Sequence, residues 1–165
     1  MRLIKLEEDG TFSLKVFIGE NTPSFGILSH TWGAVGDEVT LTDLIQGTAT
    51  GKAGYDKLRF CAKQAAADGL EWFWVDTASI DKTSSAELSE AINSMYRWYY
   101  TSAKCYVYLS DVSSGNVEQP EQLQTKEKSW EPSFRKSRWF TRGWTLQVVQ
   151  GDLNSTLLKL HTIHP

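Results

Sequence analysis

Apolar and polar side chains alternate in two short runs at the start of the chain. Residues 2–6 and 12–18 follow a period of two, and Asp9 and Gly10 lie between them. Alternation around an Asp-Gly pair is typical of a β-hairpin. A continuous apolar run follows at residues 25–28, which predicts a buried strand that enters a loop. Residues 33–54 hold five glycines and no clean period, so we predict that this stretch is mostly loop.

The period changes to that of a helix after residue 54. Apolar residues recur every three or four positions, at Tyr55, Leu58, Cys61, Ala62 and Ala65. Gly69 follows as a natural helix end. The next run, residues 72–75, is Trp-Phe-Trp-Val. A run that is apolar on both faces predicts a strand covered from both sides, as in a parallel sheet.

A second helix is predicted to begin near residue 84. Ser84 and Glu87 match a capping box, in which each side chain bonds the other residue's backbone amide. One helical face then carries Leu88, Ala91, Ile92, Met95 and Tyr99. We expect Leu88, Ile92 and Met95 to be buried, so that Ile92→Ala would cost roughly 2–5 kcal/mol. Residues 105–109 form the next apolar run and predict another inner strand.

The alternation of strands and helices predicts an α/β fold with a mostly parallel sheet and helices on its faces. The chain has 165 residues, which is enough for one such domain. Residues 112–131 are polar and predict a long exposed loop. Residues 134–147 predict a short helix rich in Arg and Trp, and the tail from residue 148 shows no convincing period.

Composition and charge exclude several classes of protein. Aromatic residues make up 12% of the chain, with seven Trp, which a disordered chain would lack. The formal net charge of −3 supplies no basic field, so no nucleic acid partner is expected. Two cysteines, Cys61 and Cys105, make neither a disulfide framework nor a four-cysteine zinc site, and we expect both in the core and no bound metal.

The chain also lacks the sequence signals of membrane insertion and secretion. No apolar run approaches the length of about 20 residues that a membrane-spanning helix needs. The first residues are charged too early for a signal peptide. We therefore expect a cytoplasmic protein.

Polar side chains follow three predicted strands at the point where each strand ends: Ser29 and His30, then Asp76, then Ser110 and Asp111. Ligands of open α/β sheets bind outside the carboxyl ends of the strands, so these groups are expected to converge on one site. The alternative is that they only cap the following turns. His30 is either a base or phosphate contact or a structural hydrogen-bonding group. Ser29 and His30 are adjacent and point to opposite faces, which argues against a direct catalytic pair.

Basic and aromatic residues interleave near the end of the predicted domain. The basic residues are Arg135, Lys136, Arg138 and Arg142, and the aromatic ones are Phe134, Trp139, Phe140 and Trp144. Such a segment either binds an anion or a stacked base, or packs its Trp residues under covering Arg side chains.

Three blocks of this sequence resemble the heterokaryon incompatibility (HET) domain of filamentous fungi. They are Leu-Ser-His-Thr-Trp-Gly at 28–33, Trp-Val-Asp-Thr-Ala-Ser-Ile-Asp-Lys at 74–82 with its continuation through 87–95, and Ser-Arg-Trp-Phe-Thr-Arg-Gly-Trp-Thr-Leu-Gln at 137–147. The resemblance covers about residues 24–147. We therefore expect a HET domain at 1–147, with an N-terminal strand arm at 1–20, and an atypical C-terminal tail at 148–165.

The resemblance implies a role in allorecognition and in programmed cell death after fusion of unlike fungal cells. The family is considered remotely similar to TIR domains, whose sheet is flavodoxin-like and some of which cleave NAD. NAD is thus the implied ligand or substrate, and no cofactor is expected to be required. The implied partners are a second copy of the chain or other incompatibility and signalling domains. The candidate nucleotide-binding residues are Ser29, His30, Trp32, Gly33, Asp76, Asp81, Ser110, Arg142 and Trp144.

Two positions depart from the family pattern. Ser79 stands where the family usually has Cys, and Val148 stands where the third block normally continues with Glu. That Glu is the position most similar to the catalytic Glu of TIR enzymes. We therefore expect a catalytically degenerate HET domain. The alternatives are an active NAD glycohydrolase that uses Asp76, Asp81 or Asp111, and a pure interaction module with a Trp-rich surface.

The family pattern stops at Val148, and we expect a fold truncated at its C-terminal end. A retained intron or a truncated gene model would explain the tail, and a genuine tail is the alternative.

Overall fold

The predicted N-terminal hairpin forms one edge of a six-stranded sheet in the computed structural model, which describes residues 1–113, 131–143 and 159–163. The strand order is β2-β1-β4-β3-β5-β6. The strands are β1 (Arg2–Leu6), β2 (Phe12–Val16), β3 (Phe25–His30), β4 (Trp72–Trp74), β5 (Lys104–Ser113) and β6 (Lys159–Ile163).

The inner part of the sheet is parallel, as the sequence predicted. Strand β3 pairs in parallel with β4 and β5, and β5 pairs in parallel with β6. Strand β1 is antiparallel to both β2 and β4. The four parallel strands therefore lie in the chain order second, first, third, fourth. In this order the chain reverses direction across the sheet between β3 and β5, and such a reversal opens a crevice at the carboxyl ends of the strands.

The helices cover both faces of the sheet. They are α1 (Leu41–Gln46), α2 (Tyr55–Ala67), α3 (Asp76–Ser79), α4 (Ser85–Thr101) and α5 (Glu131–Arg135). Short 3₁₀ turns lie at Gly19–Asn21, Ala49–Gly51 and Arg138–Thr141. Among the helices of the described ranges, none combines the length and the apolar character needed to cross a membrane. The α/β class with a mostly parallel sheet and flanking helices is confirmed.

Residues 33–54 are mostly loop, as predicted, but they also hold the short helix α1, which the pattern of the sequence did not predict. Thr40 Oγ1 accepts a hydrogen bond from the Asp43 amide at 3.3 Å, and the Asp43 carboxylate accepts one from the Thr40 amide at 2.8 Å. Gly47 ends the helix at φ +70°, a left-handed conformation that suits glycine. This capping box satisfies two backbone amides at the start of a helix that is too short to show a period.

Helix α2 lies on one face of the sheet and is deeply buried. Its buried residues are Lys57, Leu58, Phe60, Cys61, Ala62 and Ala65, and all of them except Lys57 pack with Leu28, Phe73, Val75, Tyr106 and Tyr108 from the sheet side. Gly69 follows the helix at φ +73°, as predicted. Gly26 allows β3 to approach the ring of Tyr106, because a Cβ at that position would lie 2.5 Å from a ring carbon.

Helix α4 covers the opposite face and differs from its prediction. Ala91 is its buried residue, and Ile92 is 47% exposed. Leu88 and Met95 are half-buried, so the expected burial of the three apolar residues is wrong for Ile92 and too deep for the other two. The apolar arc is too wide for all of it to face the sheet: Ala91 turns inward, and Ile92 follows it by about 100° around the helix.

The capping box predicted at the start of α4 is only half formed. Ser84 Oγ accepts a hydrogen bond from the Glu87 amide at 3.2 Å. The Glu87 carboxylate instead accepts from the Asp81 amide at 2.7 Å and from the Arg2 guanidinium at 2.7 Å. A long-range ion pair to β1 thus replaces the local bond, and it ties α4 to the N-terminal hairpin.

The two cysteines are core residues, as predicted. Cys61 and Cys105 are both buried and form no disulfide, and burial raises the pKa of the Cys61 thiol well above its usual value. Strand β6 lies within the tail for which no period was found. Strand β5 continues through Ser113, so residues 112 and 113 of the predicted loop belong to a strand, and residues 114–130 lie outside the described part.

Candidate functional site

A cavity of about 250 Å³ opens at the carboxyl ends of β3 and β4, between the sheet edge and α4. Its polar lining consists of Ser29, His30, Trp32, Asp76, Lys82 and Arg142. Its apolar lining consists of Ile80, Leu88, Ile92, Met95 and Tyr99. Five of the sequence-predicted site residues therefore meet in one place. We call this cavity the sheet-edge pocket.

Asp76 is the one carboxylate that lines the sheet-edge pocket among the described residues. It begins α3, and one residue, Val75, separates it from the end of β4. One of its oxygens accepts a hydrogen bond from His30 Nε2 at 2.8 Å, and the other accepts one from Trp32 Nε1 at 2.9 Å. Burial acts to raise the pKa of Asp76, but His30, the Lys82 ammonium and Trp32 outweigh it and lower the pKa below its usual value. Asp76 is therefore ionised at neutral pH.

His30 lies between two carboxylates. Its side chain is only 2% exposed, and since Asp76 is ionised, Nε2 carries the proton of their hydrogen bond. The other ring nitrogen, Nδ1, is 4.0 Å from Glu38 Oε2 and makes no hydrogen bond within the described part. The His30 ring thus holds Asp76 in place, which agrees with the alternative that His30 is a structural hydrogen-bonding group.

A buried ion pair positions the loop that follows β3. Lys57, on α2, donates to the Thr31 carbonyl at 2.9 Å and pairs with Glu38. The same Glu38 oxygen accepts from the Gly33 amide at 2.6 Å. Gly54 lets the start of α2 approach this loop, because a Cβ there would lie 2.8 Å from the Asp37 carbonyl oxygen. Together these contacts fix the backbone on both sides of Trp32.

Sequence reasoning missed Glu38 and Lys57. Glu38 lies in a stretch without a period, and Lys57 lies next to the apolar face of α2, where a lysine usually reaches solvent. The available signal was a lysine beside the apolar positions Leu58 and Cys61 of one predicted helix. Only the long-range contact to the β3 loop shows its role.

Trp32 lies at the mouth of the sheet-edge pocket beside two cations. Its indole is 44% exposed. Lys82 Nζ lies 4.0 Å from the ring centroid, and Arg142 Cζ lies 5.7 Å from it. Cation–π contacts of this kind hold basic groups over an aromatic face. The mouth of the pocket is consequently positive, while its floor holds the Asp76 carboxylate.

The third sequence block contacts the pocket through Trp139, which bonds the lining residue Ser29, and through Arg142. Trp139 is buried and its Nε1 donates to Ser29 Oγ at 3.0 Å, while the Tyr99 hydroxyl donates to the Leu28 carbonyl at 3.1 Å. Ser29 and His30 therefore take different partners, as expected for neighbours on a strand. Trp139 follows the packing interpretation of the Arg- and Trp-rich segment, whereas Arg142 reaches the pocket.

Four candidates lie outside the pocket lining: Gly33, Asp81, Ser110 and Asp111. Asp111 accepts from Ser137 Oγ at 2.7 Å and from the Arg138 amide at 2.8 Å. Burial acts to raise the pKa of Asp111, but these hydrogen bonds and the Arg138 charge lower it. Asp81 accepts from the Thr83 amide at 2.9 Å. Both carboxylates thus organise turns, which for Asp111 is the alternative that the sequence left open.

The remaining two candidates have simple positions. The Gly33 amide is bound to Glu38, and Ser110 Oγ lies 3.4 Å from Thr31 Oγ1. Trp144 and Val148 lie outside the described residues.

The residues that build the pocket fall within a known family pattern. The family model for the heterokaryon incompatibility protein (HET) matches residues 25–147. The chain belongs to the HET family. The HET match includes every residue that lines the sheet-edge pocket, and it also includes Glu38 and Lys57. The arm at 1–20 and the tail after residue 147 lie outside the HET match.

A curated HET relative is the vegetative incompatibility protein HET-E-1 of Podospora anserina. It is 50% identical to this chain over 150 residues, which is 90% of the chain and 11% of HET-E-1. The chain therefore spans about a tenth of the length of this relative. No solved structure matches the chain significantly.

Proposed function

We propose that this HET domain acts in fungal allorecognition and triggers programmed cell death, and that it binds NAD in the sheet-edge pocket without efficient turnover. Family membership and the vegetative incompatibility relative support the first part. The meeting of Asp76, Trp32 and Lys82 at one edge of the sheet supports the second. The cellular location in this proposal is the cytoplasm.

The lining of the pocket suits one end of a nucleotide. Lys82 and Arg142 supply positive charge for phosphate oxygens, and the α4 side chains supply an apolar wall for a base or a nicotinamide ring. Pockets for drug-sized ligands have volumes of roughly 300–1,000 Å³, and this cavity has about 250 Å³. A dinucleotide would thus place one end in the cavity and the other along the rim.

The proposed lack of turnover follows from how Asp76 is held. Cleavage of the bond between nicotinamide and ribose develops positive charge on the ribose, which a directed carboxylate stabilises. Both oxygens of Asp76 already accept hydrogen bonds, from His30 and from Trp32. These hydrogen bonds reduce the negative charge that the Asp76 carboxylate would present to the ribose of NAD. No cofactor is required in this proposal.

A second candidate function is an active NAD glycohydrolase that uses Asp76. The lowered pKa of Asp76 favours it, because a catalytic carboxylate of this kind must be charged at neutral pH. Each carboxylate oxygen accepts more than one hydrogen bond, so a ribose hydroxyl still has a site on Asp76.

Titration calorimetry with NAD and chromatography of released nicotinamide separate the two functions. We expect measurable NAD binding, weakened at least about tenfold by Lys82→Ala because an ion pair to phosphate is lost. Lys63→Ala is the matched control, since Lys63 is exposed on α2 at the other face of the sheet. Nicotinamide release that Asp76→Asn abolishes would establish the second function. Equal NAD affinity of Lys82→Ala and the parent would contradict the pocket as the binding site.

Expression in a filamentous fungus tests the proposed cellular role. We expect the parent domain to reduce the viability of the cells and Lys82→Ala to do so less, while Lys63→Ala behaves as the parent. Full viability with abundant parent protein would contradict the proposal that this domain triggers cell death.

A further inference from the structure

The outer side of α4 carries an exposed apolar and aromatic stripe. Ile92, Tyr96 and Tyr100 follow one another at intervals of four residues and are 47%, 49% and 60% exposed. The rings of Tyr96 and Tyr100 stack with centroids 6.5 Å apart and planes 17° apart. This surface, which we call the α4 stripe, runs along about 12 Å of the helix axis.

Two opposite charges flank the α4 stripe on the same side. Glu90 and Arg97 are seven residues apart, so they lie about two turns apart along one line of the helix. Both are exposed, and within the described ranges neither forms an ion pair. The point midway between them falls between Asn93 and Ser94, near the midpoint between Ile92 and Tyr96.

This arrangement is complementary to itself. If a second α4 packs antiparallel about that midpoint, Glu90 of each copy faces Arg97 of the other, and Ile92 of each copy faces Tyr96 of the other. A two-fold axis requires such self-complementarity. If residue i of one copy contacts residue j of the other, then residue j of the first copy contacts residue i of the second. Opposite charges at the edge of an antiparallel helix pair also select its direction and register.

We propose that the α4 stripe is a homodimer interface, in which two copies of this chain pair their α4 helices antiparallel. Ile92 also lines the sheet-edge pocket, so the second copy would cover part of the pocket rim. A single pair of helices buries an area at the small end of the range for specific interfaces. Weak interfaces bury less than about 1,200 Å² of total surface. The expected dimer therefore forms at about micromolar concentrations or above.

Sedimentation equilibrium of the chain from about 1 µM to 1 mM tests the interface. We expect a reversible monomer–dimer equilibrium. Glu90→Arg and Arg97→Glu should each weaken it at least about tenfold, because like charges then face each other twice. Lys63→Glu, on the opposite face of the molecule, is the matched control and should leave the equilibrium unchanged.

The two charge variants also test the register directly. Mixed in equal amounts, Glu90→Arg and Arg97→Glu should form a heterodimer, since opposite charges face each other again, and the double variant should dimerise like the parent. Tyr96→Glu should abolish dimerisation, with circular dichroism as the check that it folds. A parent that stays monomeric at 1 mM, or a dimer that neither charge variant weakens, would overturn the proposal.

Discussion

Helices α2 and α4 cover opposite faces of the same sheet, but they do different things for the molecule. Six of the 13 residues of α2 are buried, whereas α4 has one buried residue, Ala91, among its 17. Both helices are amphipathic in sequence. The difference shows that an apolar helical face does not by itself predict deep burial, because part of the α4 face lines the sheet-edge pocket and part of it stays exposed.

The contacts of the two helices with the sheet explain this difference. Small residues of α2, including Ala62 and Ala65, let the helix lie close to the sheet. Helix α4 instead meets the sheet through large rings, since Trp98 and Tyr99 contact the ring of Trp74 at centroid distances of 5.4 and 6.4 Å. The α2 side therefore serves mainly stability, and the α4 side holds the pocket and the stripe.

The largest loss of stability on the α2 side is expected from breaking the buried ion pair between Lys57 and Glu38. Lys57→Met leaves Glu38 with a buried charge and no ammonium partner, and we expect a loss of about 3–5 kcal/mol of unfolding free energy. Urea denaturation measures it. Lys63→Met, an exposed lysine on the same helix, should stay within about 0.5 kcal/mol of the parent.

A double variant separates the pair from general packing. Lys57→Met combined with Glu38→Gln should lose less than the two single losses added together, because the unpaired charge is gone. Strict additivity would mean that the two side chains act independently.

A matched pair of apolar truncations compares the two helices directly. Leu58→Ala removes a side chain that is 1% exposed, and we expect it to cost about 2–5 kcal/mol. Ile92→Ala removes one that is 47% exposed, and we expect less than about 1 kcal/mol, below the value that its position in the sequence suggests. The denaturant midpoints of the two variants measure both losses, if the unfolding free energy depends on denaturant concentration with the same slope. Equal losses would contradict the conclusion that α2 serves mainly stability whereas α4 holds the pocket and the stripe.

The pH dependence of stability sharpens the comparison on the α2 side, where α1 packs. Burial acts to raise the pKa of Asp43, but Lys52 and Thr40 outweigh it and lower the pKa from 3.8 to about 2. The stabilisation is therefore complete above pH 3.8 and is lost as the pH falls towards 2. The difference between these two pKa values corresponds to about 2 kcal/mol of unfolding free energy.

Unfolding of the parent and of Asp43→Asn between pH 2 and pH 5 measures this effect. The gap in unfolding free energy between the two proteins should narrow as the pH falls below 3.8. A gap that is constant down to pH 2 would show that the Asp43 carboxylate has no preferential interaction in the folded state.

Much of the architecture was predictable because its signals are local. The period of two in the hairpin, the apolar runs of β3 and β4 and the helical period of α2 each arise from neighbours along the chain. Helix α1 was missed although its capping residues are local, since six residues are too few to show a period. The rule on strand ends brought Ser29, His30 and Asp76 to one edge but placed Asp111 with them, whereas it binds Ser137 and the Arg138 amide.

The amino-acid sequence by itself determined the α/β class, the family and the edge of the sheet where polar groups gather. Each of these depends on periodicity, on strand ends or on motif order, which are properties of the chain read in one dimension. The tertiary structure decided which carboxylate faces the pocket, that Lys57 and Glu38 hold the β3 loop, and that Ile92 stays half-exposed. These outcomes depend on the rotation of a helix about its axis and on contacts between distant segments, because packing selects among faces that the pattern of the sequence leaves equivalent.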